Sequence, residues 1–358
     1  MPSKEKSTKY KDVGIDIKKI KRIQNQIGKN IEKTHQYLDI GKVISGFGHY
    51  AGLIEIGDKV MAMHTDGVGT KILIAQLTEK YDTIGIDCIA MNVNDIICVG
   101  SKPLGYLSYI ALKKTNDLLL KEITKGLVKG AKLSNIAIVG GETAILPDII
   151  TGKGKDYNFD LAGMILGILD NKKKIILGNK IKDGDLIIGI NSSGLHSNGY
   201  TLARKVLLDK YSINEKPEYL ETDLGNELLK PTAIYSKTIL KVIDEFDTNV
   251  IHGLSHITGG AFTKLKRLNS SVDYILDNLP QINGIFKQIM IDGKIDITEM
   301  YKTFNMGIGF CIIVSKSEAE NIINIINKDN FKCQVIGKIK SKGNGNTFIK
   351  NNNDLLEI

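Results

Sequence analysis

Apolar residues recur at two different spacings in the first part of the chain, and each spacing predicts a different element. Isoleucines at 17, 20, 23 and 27 alternate with lysines and other polar residues, which predicts an amphipathic helix. Residues 51–63 predict two short strands joined at Gly57-Asp58, with the second strand running into Asp66. Residues 81–100 place apolar side chains on one side of a helix that Gly100 ends.

Predicted strands and helices continue along the rest of the chain, and a polar stretch near its middle separates two groups of them. Further strands are predicted at 104–112, 136–141, 159–169, 186–190, 307–314 and 333–339. Further helices are predicted at 118–133 and near 199–209, 231–246 and 316–327. The lysine-rich stretch 170–183 predicts a domain boundary. The sequence therefore predicts an α/β protein of the α+β type, with domains at 1–170 and 171–345 and a loose polar tail at 346–358.

Composition adds that the chain resembles an ordinary globular protein. It has 358 residues, 42% of them hydrophobic and 25% charged. No apolar run approaches the roughly 18 residues of a membrane span, and the polar N-terminus lacks the apolar core of a secretory signal. The four cysteines, at 88, 98, 311 and 333, form no Cys-x-x-Cys pair, and three of them lie among apolar residues. Buried thiols in a reducing compartment, the cytoplasm, are expected.

The net charge of +8 raises the question of an anionic partner. Lysines carry most of the excess, aromatic residues make up only 6% of the chain, and tryptophan is absent. No alternation of basic and aromatic residues predicts a surface for stacking bases, so nucleic-acid binding is not expected. An anionic small substrate uses the same charge.

Two clusters of polar residues follow the first strands. Asp66 ends a predicted strand and is followed by Gly67-Val68-Gly69-Thr70-Lys71, whose glycine spacing differs from that of the phosphate-binding P-loop. Asn92 and Asp95 lie three positions apart on a mostly apolar helix, and therefore share a face. Asp95 could be a solvent-facing or capping residue. Alternatively, Asp66 and Asp95 are oxygen ligands of Mg²⁺, which prefers one or two carboxylates with phosphate oxygens and water.

Three further segments offer candidate chemistry. A buried strand ends in Gly140-Gly141-Glu142, which is either a turn or a close approach to a ligand. His196 lies in the loop "GINSSGLHSNGY" before a helix, where it is either structural or able to move a proton near neutral pH. His252 and His256 are four apart, but Gly253 replaces the glutamate of a zinc protease motif, so zinc hydrolysis is not expected.

Together these segments resemble the phosphoribosylformylglycinamidine cyclo-ligase (aminoimidazole ribonucleotide synthetase) family of purine biosynthesis. The resemblance runs from residue 10 to about residue 340. It rests on "TDGVGTK", "YDTIGIDCIAMNVNDI", "KPLGYLSYIA", "VGGETA", "SSGLHSNGYTLARK", "LLKPTAIY", "HITGGAF" and "MYKTFNMGIG" in this order. The loop "SGFGHYAG" at 45–52 departs from the family, because many members have a double glycine there and no histidine at position 49.

The resemblance implies a reaction and a set of site residues. Formylglycinamidine ribonucleotide and ATP would give aminoimidazole ribonucleotide, ADP and phosphate, in a homodimer that pairs through the N-terminal sheet. Asp66 and Asp95 would hold Mg²⁺ on the phosphates, and Asp66 would also assist catalysis. His196 and His256 would transfer protons or contact phosphate. The residues implied to position ATP are Gly46, Phe47, Gly48, Asp66, Lys71, Gly140, Gly141 and Glu142.

Sister families share this plan and remain alternatives. Formylglycinamidine ribonucleotide synthetase is the nearest, although its chain is usually much longer. The hydrogenase-maturation relative ends in a cysteine, whereas this chain ends in "LLEI", and selenophosphate synthetase needs a reactive residue well before Cys88. Thiamine-monophosphate kinase lacks the sequences of the motifs "TDGVGTK" and "YDTIGIDCIAMNVNDI". A catalytically silent nucleotide-binding protein is a further alternative, but the candidate acids and His196 are all retained.

Overall fold

The structure is a computed structural model that describes residues 17–152, 157–352 and 354–358. The predictions made for residues 1–16, the polar N-terminus and the start of the family resemblance, lie outside these residues. The described residues form two β-sheets, one with strands from residues 42–169 and the other with strands from residues 186–357. The predicted boundary at 170 falls between the two sheets, and the independence of the two domains stays a prediction.

The N-terminal sheet follows the predicted strands closely. Its strands are β1 (Lys42–Val43), β2 (Gly52–Ile56), β3 (Lys59–Gly67), β4 (Lys102–Leu112), β5 (Ala137–Ile145) and β6 (Phe159–Leu169). They lie in the order β1-β2-β3-β6-β4-β5, and the β4–β5 pair is parallel while the others are antiparallel. The helices of this part are α1 (Ile17–Ile31), α2 (Ile72–Thr78), α3 (Ile84–Ile97) and α4 (Asp117–Ser134).

Helix α3 lies at the centre of the molecule. It packs against β3 and β6, against α4, and against elements of the second domain, so that all of its residues are buried. The prediction of a helix with one apolar side is therefore incomplete, since the polar residues of α3 are buried as well. A Cβ atom on Gly85 would lie 2.2 Å from the backbone nitrogen of Leu127, so this glycine allows α3 and α4 to cross closely.

The C-terminal sheet is mostly antiparallel. Its strands are β7 (Leu186–Asn191), β8 (Ile251–His256), β9 (Val272–Leu276), β10 (Ile308–Val314), β11 (Cys333–Ser341), β12 (Thr347–Asn351) and β13 (Asp354–Glu357). Their order is β13-β12-β9-β11-β7-β10-β8, with only β12 and β9 parallel among these pairs. The helices are α5 (Tyr200–Leu208), α6 (Leu224–Leu228), α7 (Ser236–Glu245), α8 (Gly284–Asp292), α9 (Ile297–Thr303) and α10 (Ala319–Lys328).

The prediction of a loose tail after residue 345 is wrong. Strand β12 pairs with β9 in the sheet, and β13 pairs with β12 at its edge. Thr347 and Ile349 are buried while Lys350 is exposed, so a short alternating strand pattern was hidden among Asn, Gly and Lys residues. Helices α8 and α9 were not predicted.

Polar contacts from α3 join the two domains. The Asn94 side chain donates to the backbone oxygen of Ala233 at 2.8 Å and accepts from the backbone N–H of Tyr235 at 2.9 Å. Burying an amide is favourable only when its hydrogen bonds are satisfied, and here the second domain supplies them. Within the described residues, no helix has the length and apolar character that crossing a membrane requires.

Candidate active site

A carboxylate from the first domain meets an imidazole from the second. Asp95, near the end of α3, lies 2.6 Å from Nδ1 of His256, the last residue of β8, measured from Oδ1. Both side chains are buried. His64 on β3 approaches the other carboxylate oxygen of Asp95, with Nε2 at 3.6 Å. The expectation that Asp95 faces solvent or caps the helix is therefore wrong.

The charges around this pair define its protonation. Burial acts to raise the pKa of Asp95, but the Lys264 ammonium and the hydrogen bond from His256 outweigh it and hold that pKa below its usual range. Burial lowers the pKa of His256 despite the neighbouring carboxylate. The pair is therefore a carboxylate and a neutral imidazole whose Nδ1–H donates to Asp95. Its Nε2 lone pair then faces the Asn94 amide nitrogen at 3.4 Å.

Asp66 lies next to this pair, at the end of β3. The Asn92 amide fixes its backbone, accepting from the Asp66 N–H at 3.0 Å and donating to the Asp66 oxygen at 3.1 Å. Burial raises the pKa of Asp66, and the negative charge of Asp95 raises it further. Two carboxylates are thus held close together in a poorly solvated place, where a cation would relieve their repulsion.

His196 approaches the pair from the loop after β7. Its ring centre lies 6.3 Å from that of His256, and the residue has a backbone φ of 63°. Its Nε2 accepts from the Ser193 N–H at 3.2 Å, so the proton of the neutral ring is on Nδ1. That Nδ1–H is buried and has no partner among the described residues. Burial holds the pKa of His196 well below its usual range, and the charge of Lys71 lowers it further.

Lys71 occupies a different position from the one predicted. Its ammonium is fully buried, 2.8 Å from Asp87 Oδ1 and 2.6 Å from the backbone oxygen of Lys230. Because the ammonium is already paired with Asp87 and hydrogen-bonded to Lys230 inside the protein, its geometry does not support the prediction that Lys71 contacts ATP. The glycine-rich loop instead ends in a lysine that joins α3 to the second domain.

Neither of the predicted glycine segments lies in this cluster. Phe47, between Gly46 and Gly48, is half exposed and its N–H donates to Glu32 at 3.0 Å, next to α1. Gly140, Gly141 and Glu142 lie on β5, the exposed edge strand. Register through β6 and β4 puts three strand spacings, roughly 14 Å, between Asp66 and Gly141. Within one chain, these glycines are therefore separate from Asp66 and His256.

Several residues of the cluster were missed in the sequence. Asp87 lies on the same apolar helix as Asn92, Asn94 and Asp95, which the sequence did single out, so its polar character at a buried position was the available signal. His64 precedes Asp66 by two positions on β3 and therefore faces the same side of the strand. Half-buried Lys264, whose Nζ donates to Thr258, had no such signal, because it lies close in sequence to the exposed Lys266 and Arg267.

The two histidines of β8 have separate partners. His252 Nδ1 lies 2.7 Å from Asp185 Oδ2, and its Nε2 lies 2.9 Å from the Asn249 oxygen. In the part of the chain that the structure describes, no three His, Cys, Asp or Glu side chains are grouped as metal ligands. These contacts argue against a zinc pair at His252 and His256.

A cavity of about 650 Å³ opens beside the His196 loop. Ser192, Ser193 and Gly194 form one wall, and Lys230 and the start of α8 form others. Asn305 holds the first wall, since it accepts from Ser192 Oγ at 3.0 Å and donates to the Gly194 oxygen at 2.9 Å. Ser193 thus contacts both the cavity and His196.

The fold and the acid–imidazole site define the class of protein. Residues 48–169 match the N-terminal domain of the AIR synthase related proteins, and residues 182–350 match their C-terminal domain. The chain belongs to the AIR synthase related family. The family predicted from the motifs is therefore confirmed.

Similar sequences narrow the assignment within the family. The chain is 48% identical to the phosphoribosylformylglycinamidine cyclo-ligase of Methanocaldococcus jannaschii, over 95% of each chain. It is 48% identical to the protein of the same name from Methanobrevibacter smithii, over 92% of this chain and 94% of the relative. The cyclo-ligase of Pyrococcus furiosus is 46% identical, over 89% and 91%.

Solved structures show the same fold at much lower identity. ThiL complexed with AMPPCP and TMP has a TM-score of 0.64 and 16% identity, over 96% of this chain and 98% of that one. Hydrogenase maturation protein HypE in complex with ATP has a TM-score of 0.61 and 15% identity, over 90% and 88%. At such identities the likeness supports the fold alone.

Proposed function

We propose that the protein converts formylglycinamidine ribonucleotide and ATP into aminoimidazole ribonucleotide, ADP and phosphate. The relatives with 46–48% identity carry the name of this cyclo-ligase. The observation that carries the proposal is the buried Asp95–His256 pair, which is formed only where both domains meet beside Asp66. A site split between two domains can hold two substrates against each other.

The proposed chemistry has two steps. The formyl amide oxygen attacks the terminal phosphorus of ATP, and the bond from that phosphorus to ADP breaks. The amidine nitrogen then attacks the activated carbon, the nitrogen loses a proton, and phosphate leaves with the former amide oxygen. Since the second step is intramolecular, holding the two ends together supplies much of its rate.

The two histidines have different roles in this proposal. His256 is neutral and oriented by Asp95, and its Nε2 would exchange its contact with the Asn94 amide for the proton that the attacking nitrogen loses. His196 has its proton on Nδ1 with no partner among the described residues. That N–H is suited to donate to the oxygen on which charge develops as phosphate leaves.

We propose that Asp66 and Asp95 hold Mg²⁺ with the phosphates of ATP. The nearby charge of Asp95 supports this assignment, because a cation held between the two carboxylates would relieve their repulsion. Mg²⁺ would neutralise charge on the transferring phosphoryl group. His256 and His64 already lie against the two oxygens of Asp95, so the ion would share this carboxylate with them.

We propose that the ribonucleotide lies in the cavity beside the His196 loop. The cavity of about 650 Å³ falls within the usual range for small-molecule sites. Lys230 lines it and Ser193 connects it to His196, so a phosphorylated substrate seated there would have its reacting end near the imidazole. Substituting Ser192 by valine is expected to raise KM for the ribonucleotide more than KM for ATP.

We propose a cytoplasmic homodimer that pairs through the N-terminal sheet. Leu107, Tyr109, Val139 and Ile145 are each more than two-fifths exposed on the neighbouring strands β4 and β5. An exposed apolar sheet edge normally requires a cover, and a second copy would supply it. In such a dimer the Gly140–Glu142 segment and the Gly46–Gly48 loop would complete the ATP site. The free, mostly buried cysteines support a reducing compartment.

Incubation of the purified protein with ATP, Mg²⁺ and formylglycinamidine ribonucleotide tests the function. Aminoimidazole ribonucleotide and ADP should form in equal amounts, as measured by diazotisation of the aromatic amine and by a coupled ADP assay. Turnover of formylglycinamide ribonucleotide with an ammonia source, without this product, would point to the sister synthetase instead. For the metal, Asp95→Ala should lose Mg²⁺-dependent turnover, and normal dependence would make that assignment wrong.

A further inference from the structure

Asp87 gathers hydrogen-bond donors from both domains around one oxygen. Its Oδ1 accepts from Lys71 at 2.8 Å, and from the backbone N–H and the hydroxyl of Thr232, each at 2.7 Å. The Ser197 hydroxyl lies 3.3 Å from the same oxygen. Lys71 and Asp87 are fully buried, and Thr232 and Ser197 are nearly so. The other oxygen, Oδ2, is buried with no partner among the described residues.

This network joins α3 to two segments of the second domain. Thr232 lies before α7, and the Lys71 ammonium donates to the Lys230 oxygen two residues earlier. Ser197 follows His196 directly and also contacts the Thr232 hydroxyl at 3.0 Å. Ser193, whose N–H fixes the His196 ring, donates through its hydroxyl to the Pro231 oxygen at 2.5 Å. Both flanks of His196 are therefore attached to the 230–232 segment that Asp87 and Lys71 hold.

The geometry of His196 requires such support. Its positive φ of 63° is uncommon for a residue other than glycine, and such a conformation persists only where the surroundings enforce it. The backbone N–H of Ser193 must also stay on Nε2 for the ring proton to remain on Nδ1. A buried ion pair that fixes both flanking segments can enforce this conformation and this contact. Its two charges stay together, because removing one of them would leave the other buried without a partner.

We propose that Lys71 and Asp87 form a positioning pair that sets the orientation and the tautomer of His196. This inference rests on the proposed function, in which His196 donates from Nδ1. It assigns Lys71 to the assembly of the site across the domain interface, and not to the binding of nucleotide phosphate. The glycine-rich segment before Lys71 then serves to bring the lysine beneath α3.

Four proteins test the pair: wild type, Lys71→Met, Asp87→Asn, and the double variant Lys71→Met/Asp87→Asn. The double variant replaces a buried ion pair by a neutral pair of similar size, which proteins often tolerate well. Its asparagine retains an oxygen that accepts from Thr232 and Ser197. Lys241→Met, which removes an exposed lysine paired with Asp329, is the matched control.

The expected result separates kcat from nucleotide binding. Lys71→Met should lower kcat at least tenfold, while the Kd of ATP, measured by calorimetry, stays within about twofold of wild type. The double variant should recover most of that loss, and the control should match wild type. A Kd for ATP raised tenfold in Lys71→Met, with kcat retained at saturating ATP, would make Lys71 a phosphate ligand and overturn the proposal.

A spectroscopic measurement keeps the inference separate from the reaction. In protein with ¹⁵N-labelled histidine, the His196 ring nitrogens should report a proton on Nδ1 in wild type and in the double variant. Lys71→Met and Asp87→Asn should show a mixture of tautomers, or an altered shift, at His196. An unchanged His196 signal in both single variants would overturn the positioning role. Failure of the wild type to turn over the ribonucleotide, with these shifts as expected, would count against the proposed function alone.

Discussion

Replacing Asp95 by asparagine keeps the shape of the side chain and removes its charge, so kcat measured at saturating Mg²⁺ tests the contribution of the Asp95–His256 pair. The two side chains are 2.6 Å apart and buried, so the hydrogen bond is charge-assisted. Hydrogen bonds to charged groups contribute about 1.5–3 kcal/mol. If His256 gains a proton during the reaction, losing this stabilisation would slow turnover by roughly 10- to 150-fold.

A second buried pair in the same protein provides the control. His252 Nδ1 lies 2.7 Å from Asp185 Oδ2, and both residues are buried, but they contact neither Asp66 nor His196. Asp185→Asn therefore removes the same kind of interaction from a place that the reaction does not use. We expect it to lower the thermal stability about as much as Asp95→Asn does, and to leave kcat unchanged.

Steady-state formation of the aminoimidazole product, together with thermal unfolding followed by circular dichroism, measures both effects. Asp95→Asn should lose turnover beyond what its stability loss explains, whereas Asp185→Asn should lose stability alone. A kcat for folded Asp95→Asn within twofold of wild type would refute the reasoning. An equal loss of turnover in both variants would refute it as well, because the site would then have no special dependence on Asp95.

Three further predictions concern the fold, its pH dependence and its assembly. Gly85→Ala would place a methyl group 2.2 Å from the Leu127 nitrogen, so Tm of the 358-residue chain should fall by about 4 °C for a loss of about 3 kcal/mol. An unchanged melting curve would contradict the close crossing of α3 and α4. Burial lowers the pKa of His49 to about 4. As the pH falls, the unfolded chain therefore binds a proton at His49 before the folded chain does. The free energy of unfolding should fall from pH 6.5 toward pH 4, by about 2 kcal/mol at pH 5. Urea unfolding of His49→Gln should show that much less loss between pH 7 and pH 5, and parallel losses would refute the assignment. Val139→Lys should sediment as a monomer, whereas Val128→Lys, at an exposed position on the outer face of α4, should remain a dimer. A dimer in both variants would exclude the sheet edge as the interface.

The elements around the site could be predicted because their patterns are local. Strand β3 and helix α3 each have a clear apolar period, so Asp66 and Asp95 were assigned to the correct elements from neighbouring residues alone. The sequence also indicated that these acids and the histidines of the second half belong together, through the motifs of one family. It did not indicate that α3 is buried on every side, since that depends on α4 and the second domain packing around it.

Lys71 shows why a local motif can mislead. The glycine spacing before Lys71 differs from that of the phosphate-binding P-loop, and the assignment of Lys71 to ATP came from the family resemblance alone. The deciding residue is Asp87, sixteen positions later on a different element, and its carboxylate meets the lysine only in the folded chain. A buried lysine requires such a partner. The sequence therefore permitted a different inference, that the polar residue Asp87 on an apolar helix pairs with the nearby Lys71.

The Gly140–Glu142 segment marks the other limit of sequence reasoning. Its motif belongs to the same family pattern as Asp66, yet the two lie three strand spacings, roughly 14 Å, apart in one sheet. The acids and imidazoles are assembled inside one chain, whereas this segment is on an edge strand that is exposed along nearly its whole length. An apolar edge such as this is unfavourable in water unless another surface covers it. If a second copy covers β5, the contact that stabilises the dimer also places the Gly140–Glu142 segment in an ATP site. Variants that prevent assembly should therefore lose ATP binding as well.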